Sequence, residues 1–293
     1  MDHQFFLKKM QPEHEYFVGI DSDGCVFDTM EAKQKQFFLP NALKYFNLFP
    51  IENIVRQIWE FVNLYSVHRG GNRFISVIKV FEILNESEQV KNSGVKLPEI
   101  NALKQWVKTE NKLSNENLRK YFQSNHDPDL GKILRWSEVL NEEISRNLRN
   151  ITPFPYATEA IKKISSYADI VIISQTPVEA LEREWGANNL KKYARLIAGQ
   201  EHGTKTEHLA HAAIGKYQTH KILMIGDAPG DLDAAKNNGI LFFPVVPGKE
   251  DESWKRFLYE GFEKFLDGSL AGKYENSLLK EFKSSLPSIF YPE

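Results

Sequence analysis

Short blocks of uninterrupted apolar residues punctuate this chain, and between them apolar side chains recur at helical spacing. Tyr16, Phe17, Val18 and Ile20 make the first block, Asp169–Ile173 the second, Lys221–Ile225 the third and Ile240–Val246 the last. Val- and Ile-rich blocks of this length, without in-and-out alternation, read as strands buried on both faces, the kind found in parallel sheets covered by helices. A shorter strand near Ala194–Ala198 completes a set of roughly five. Helical patterns fall between them, at Ala157–Ser165, Val178–Trp185, from Thr204 onward and at Asp231–Asn238. The fold class is therefore α/β, a parallel sheet of about five main strands with helical crossovers.

Residues 30–150 have a different texture. Ile51, Ile54, Val55, Ile58, Trp59 and Val62 repeat at helical spacing, as do Phe74, Val77, Ile78, Phe81 and Leu84, and nothing there reads as a strand. Pro98 suits the first turn of a helix, Ser114 suits the cap of the next, and Ile133–Leu148 carries a further periodic run. The stretch is an all-helical insertion of about five or six helices. It divides the α/β part into residues 1–29 and 151–293, and the proline-bounded segment Thr152–Tyr156 is a stiff connection where the α/β pattern resumes. Beyond Lys249 the chain reads as amphipathic helices with an aromatic end, Phe290 and Tyr291, expected to pack on the α/β core.

Composition narrows the class of partner. With 293 residues, 42% of them hydrophobic, the chain can bury a substantial core. Its formal net charge of -2, with Lys and Glu interspersed, offers no basic stripe for a phosphate backbone, so a small molecule is favoured over nucleic acid. Cys25 is the single cysteine, which leaves no internal disulfide and no cysteine metal cluster. No apolar run has membrane-spanning length and the opening residues lack the apolar core of a signal peptide, so the expectation is a cytoplasmic protein without a membrane partner.

Candidate chemistry sits where the blocks end. The first stops at Asp21, followed by Asp23 and by Gly24, which lets the backbone turn. The second stops at Ser174, Gln175 and Thr176, and the third at Gly226 and Asp227, with Asp231 close behind. Open α/β sheets bind ligands beyond the carboxyl ends of their strands, so the topology gathers these side chains on one rim. Asp21, Asp23, Asp227 and Asp231 together demand a cation, because each like-charged pair at about 4 Å costs on the order of 4 kcal/mol at a surface-like dielectric. An all-oxygen set favours a hard ion, and Mg²⁺, which binds through one or two carboxylates, waters and a phosphate, fits best.

Lys205 adds positive charge. Thr204 and Glu207 have capping-box spacing, which starts a helix at Lys205, where the helix dipole disfavours a cation unless something compensates. In the insertion, His68, Arg69, Gly70, Gly71, Asn72 and Arg73 break the helical pattern and offer two guanidinium groups to an anionic substrate; the plainer reading is an interhelical turn. His202, His208 and His211 have partial metal-ligand spacing but read as surface or helix-face histidines, and Cys25 as a small turn residue.

The run D-S-D-G-C-V-F-D from Asp21 to Asp28, the strand ending at Ser174, Lys205, and G-D-A-P-G-D from Gly226 to Asp231 together resemble the four motifs of the haloacid dehalogenase superfamily, in the family's order. The resemblance covers residues 14–29 and 151–246, and the insertion stands where that family carries a helical cap. It implies a Rossmann-like three-layer core and a cap that closes over the active site. It also implies roles: Asp21 as the nucleophile forming an aspartyl-phosphate, Asp23 as acid and base, Ser174 as a hydrogen-bond partner of the phosphoryl group, and Lys205 as the cation that neutralises it while holding Asp21 ionised. An aspartate at position 23 favours phosphate esters, since members that cleave carbon-halogen or carbon-phosphorus bonds usually carry another residue there.

By the same resemblance Mg²⁺ would be held by Asp21, the Asp23 carbonyl, Asp227 and Asp231, the last directly or through water. Gly24, Gln175, Thr176, Arg69, Asn72 and Arg73 are the candidate substrate contacts. The expected activity is Mg²⁺-dependent hydrolysis of a small phosphorylated metabolite. Two alternatives stand beside it, a phosphomutase similar to β-phosphoglucomutase and a non-catalytic binding or regulatory protein on the same fold. The sequence leaves substrate identity and oligomeric state open.

Overall fold

A computed structural model describes residues 4–149 and 151–291. The strands β1 (Tyr16–Ile20), β2 (Ala168–Ile173), β3 (Leu196–Ala198), β4 (Ile222–Gly226) and β5 (Leu241–Pro244) run parallel in one sheet, in the order β3-β2-β1-β4-β5. At the centre, β1 pairs with β2 through Ile20 and Ile172 and with β4 through Ile20 and Ile225, so the chain order switches beside it. Every residue of β2 and β4 is buried, as continuous apolar blocks require, because alternate side chains serve two different cores. Val18, Ile20, Ile170, Ile172, Leu223 and Ile225 pack on one face with the helices Ala157–Ile164 and Val178–Ala187. Phe17, Val171, Ile173, Ile222 and Met224 pack on the other with Lys205–Ala212 and Pro229–Asn237. The C-terminal helices complete both layers: Trp254, Phe257, Phe262 and Phe265 join the first core and Phe282 the second.

The chain divides into two compact units. One runs to Met30 and resumes after Arg149 as far as Leu286; the other is Glu31–Arg149 with the segment that follows Leu286. The expected boundary at Asn150 lies outside the described residues. Among the described residues the second unit contains helices and no strand, with Glu52–Leu64, Arg73–Glu86, Asn101–Thr109, Asn115–Asn125 and Pro128–Asn147 as its main elements. Trp59, Trp106 and Trp136 are buried in it; Trp59 meets Trp136 at 6.0 Å between ring centroids and donates its indole N–H to Gln34 Oε1 at 2.9 Å. Ser114 caps its helix as expected, accepting from the Asn117 amide at 3.3 Å. Among the described residues no helix is long and apolar enough to cross a membrane.

Two details depart from the sequence reading. The helix assigned to Pro98 starts only at Asn101, because Asp129 accepts the Glu99 amide at 2.8 Å and holds that stretch as a linker. Phe290, expected against the α/β core, packs on Phe61 of the helical unit with centroids 5.3 Å apart, and Tyr291 is exposed.

Candidate active site

The Asp21 amide extends the ladder of the central strand, donating to the Ile225 carbonyl at 3.0 Å, so its side chain emerges at the carboxyl end of β1. Asp227 follows β4 directly, and Asp231 lies in the first turn of Pro229–Asn237. All three are buried, and one carboxylate oxygen of each lies within 4.8 Å of the others. Among the described residues this is the one group of three or more side chains placed to share a metal ion. Lys205 opens its helix behind the reciprocal capping box of Thr204 and Glu207, and its Nζ reaches Asp21 Oδ2 at 2.8 Å and Asp231 Oδ1 at 2.6 Å. Those two carboxylates compensate a cation that the helix start disfavours.

Burial pushes the Asp21 carboxyl well above the ordinary carboxylate range; Asp231 and Asp227 push the same way, and the Lys205 ammonium opposes them. Burial alone would lower the Lys205 ammonium, but Asp21 and Asp231 outweigh it and hold it far above its usual value. Three buried carboxylates against one ammonium leave negative charge in a low-dielectric site, and an all-oxygen donor set of that charge suits a hard divalent cation. Asp231 is engaged at both oxygens: Oδ1 meets Lys205, and Oδ2 accepts the amides of Asp227 and Ala228 at 3.1 and 3.0 Å. It braces the lysine and the turn that carries Asp227.

That bracing depends on Gly226, where a Cβ would stand 2.4 Å from Asp231 Cβ and Cγ. Gly226→Ala is therefore expected to displace Asp231 and destabilise the fold by roughly 1–3 kcal/mol, read from urea denaturation. An unchanged midpoint would contradict the packing described.

The turn after Asp21 closes through the Ser22 carbonyl, which accepts the Val26 and Phe27 amides at 2.9 and 3.1 Å, while Gly24 takes a φ of 76° that L side chains rarely adopt. Two buried indoles fasten it. Trp185 donates to Ser22 Oγ at 3.0 Å, and Trp254 donates to the Cys25 carbonyl at 2.7 Å. Neither tryptophan is legible as a site residue in the sequence. Burial pushes the Cys25 thiol well above its ordinary value, which keeps it protonated and fits a plain turn residue.

The two carboxylate oxygens of Asp23 accept from different hydroxyls, Oδ1 from Thr29 and Oδ2 from Thr176, the latter at 2.5 Å. Ser174 is buried beyond β2; its amide donates to the Ala198 carbonyl at 3.0 Å and its hydroxyl accepts the Thr176 amide at 3.1 Å. The Gln175 side chain donates to the carbonyls of Ser174 and Gly203 at 3.3 and 2.9 Å. The structure thus joins Asp21, Lys205, Asp227 and Asp231 in one cluster and ties Asp23 to Thr176 and Thr176 to Ser174.

Arg69, Asn72 and Arg73 lie in the helical unit, each engaged within it. Arg69 is buried and donates to the Leu64 carbonyl at 2.8 Å, and Asn72 caps the helix that starts at Arg73. Arg73 donates to Ser137 O and Oγ at 3.2 Å and to Asn141 Oδ1 at 2.8 Å, with its guanidinium over the Phe38 ring; burial lowers it to about 10. His202, His208 and His211 form no shared metal group, and burial pushes the fully buried His208 down to about 4.

A family model described as haloacid dehalogenase-like hydrolase matches residues 80–245, just over half of the chain, with the Asp21 turn lying ahead of the matched stretch. Among solved structures, a predicted phosphoglycolate phosphatase from Haemophilus somnus is similar at 12% identity and a TM-score of 0.46, covering 80% of this chain and 86% of its own. A haloacid dehalogenase-like hydrolase from Xanthomonas campestris gives 10% identity and 0.44, over 90% and 98%. Another from Streptococcus pneumoniae gives 11% and 0.42, over 86% and 97%. No curated protein matches the chain.

Proposed function

We propose that this chain, which belongs to the haloacid dehalogenase-like hydrolases, is a Mg²⁺-dependent phosphomonoesterase that acts on a small phosphorylated metabolite through an aspartyl-phosphate at Asp21. The observation that carries the reading is the contact of Asp21 with Lys205 inside a buried group of three carboxylates at the switch point of the sheet.

Asp21 supplies the attacking oxygen. Burial works against its ionisation, so the ammonium 2.8 Å away is what keeps a carboxylate available as a nucleophile. As the bond from Asp21 to phosphorus forms, the bond from phosphorus to the alcohol oxygen breaks, and Asp23 delivers a proton to the departing alkoxide. Asp23 then takes a proton from water, which attacks the phosphorus, frees Asp21 and leaves inorganic phosphate. Lys205 and the Ser174 hydroxyl meet the phosphoryl oxygens over which charge spreads in the transition state. Asp21 and Asp227 would hold Mg²⁺ with Asp231 bracing them, and the ion would neutralise phosphoryl charge.

Phosphate release from a panel of phosphorylated metabolites, with and without Mg²⁺, tests the reading. Metal-dependent release supports it. Isomerisation without release would point to a phosphomutase, and no turnover of any kind to a binding protein. The metal site has its own readout: Mg²⁺ at about 100 times its dissociation constant is expected to stabilise the wild type by ~2.7 kcal/mol, and this gain should vanish in Asp227→Asn. Equal stabilisation of both proteins in a thermal melt would refute the assignment of Asp227.

A further inference from the structure

The two oxygens of Asp23 are engaged by one near and one distant hydroxyl, both from residues that follow it in the chain. Thr29, six residues ahead, donates to one, and Thr176, 153 residues away on the segment that leaves β2, donates to the other. Both threonines are buried, at 0% and 9% exposure, whereas Asp23 is partly exposed. Thr176 is itself locked in place. Its amide donates to Ser174 Oγ at 3.1 Å, its carbonyl accepts the Gln200 amide at 3.2 Å, and Gly199 lies so near that a Cβ there would stand 2.6 Å from that carbonyl oxygen.

We infer that Thr176 is a positioning residue for Asp23, not a substrate contact. The inference rests on the acid-base role proposed for Asp23 above. A carboxylate on a partly exposed turn rotates among conformers unless both oxygens are held, and a hydroxyl on each oxygen fixes the direction in which its remaining lone pairs, or its proton, point. A threonine suits the task because its branched Cβ restricts χ1 and so aims the hydroxyl. A hydroxyl also donates or accepts, so it stays bonded to either form of a group that gains and loses a proton in each turnover. The geometry of proton delivery to the leaving oxygen is then set by the β2 segment, which also carries Ser174.

The test compares Thr176→Val, Thr176→Ser and Asp23→Asn on two kinds of substrate, an aryl phosphate with a good leaving group and an alkyl phosphate with a poor one. Both esters share the later hydrolysis of the aspartyl-phosphate, so kcat/KM, which reports the first step, is the quantity compared, and there misaiming the acid should harm only the ester that needs it. Thr176→Val is expected to lower kcat/KM for the alkyl phosphate by about tenfold or more and to change kcat/KM for the aryl phosphate by less than about threefold, and Thr176→Ser should recover most of the loss. Equal losses of kcat/KM on both substrates, or no loss at all, would overturn the positioning role. Thr176→Ala, smaller than valine, gives the same readout if the valine variant unfolds early. Asp23→Asn separates the two claims: if it lowers kcat/KM for both substrates alike, the acid role of Asp23 fails, and if it is selective while Thr176→Val is not, the inference about Thr176 fails alone.

Discussion

Asp21→Asn is expected to reduce phosphate release by about a thousandfold or more, with the fold intact. An amide oxygen is a poor nucleophile toward phosphorus, and no other carboxylate shares the position at the end of the central strand. The loss should not come from unfolding. Burial raises the Asp21 carboxyl, which means that its ionised form is costly to the folded state, and Lys205 keeps its second partner, Asp231, at 2.6 Å. Steady-state rates and a thermal melt check both halves. A variant within about tenfold of wild type would remove Asp21 from the chemistry.

Lys205→Met is the second large effect, and it falls on stability as well as on activity. The ammonium is the cation that reaches both Asp21 and Asp231, and removing one partner of a buried ion pair costs about 3–5 kcal/mol, because the carboxylates left behind are uncompensated. The pH dependence follows from Asp21. Its folded value is raised, so it contributes stability that is present below the ordinary carboxylate value and is lost as pH rises through the raised one. Lys205 opposes that rise, so the methionine variant should lose stability more steeply than the wild type as pH rises above the ordinary carboxylate value. Parallel stability curves would show that Lys205 does not hold Asp21 ionised.

The carboxylate cluster was legible because strand ends are. An apolar block that stops at an acid places that acid on the sheet rim wherever the strand pairs, and β1 and β4 end as their sequences indicate. Local cap chemistry was legible for the same reason: Thr204 with Glu207, and Ser114, bond within three residues of themselves. Pro98 misled because its linker is decided by Asp129, thirty residues on from Glu99. The groups that fasten the turn after Asp21 were invisible. Trp185 and Trp254 bond to Ser22 and Cys25 across 163 and 229 residues, and a buried indole in an amphipathic helix looks like any other core side chain. Thr176 carried the opposite difficulty: its place at a strand end suggested a ligand contact, and only the packed structure pairs its hydroxyl with Asp23.

A rapid-quench experiment with a substrate carrying radiolabelled phosphate tests the proposed chemistry most directly. Acid quench within a single turnover should trap label on the protein, released by hydroxylamine as an acyl phosphate is, and mapping should place it on the peptide containing Asp21. Label on any other residue, or phosphate release with no labelled protein at any time point, would contradict an aspartyl-phosphate at Asp21.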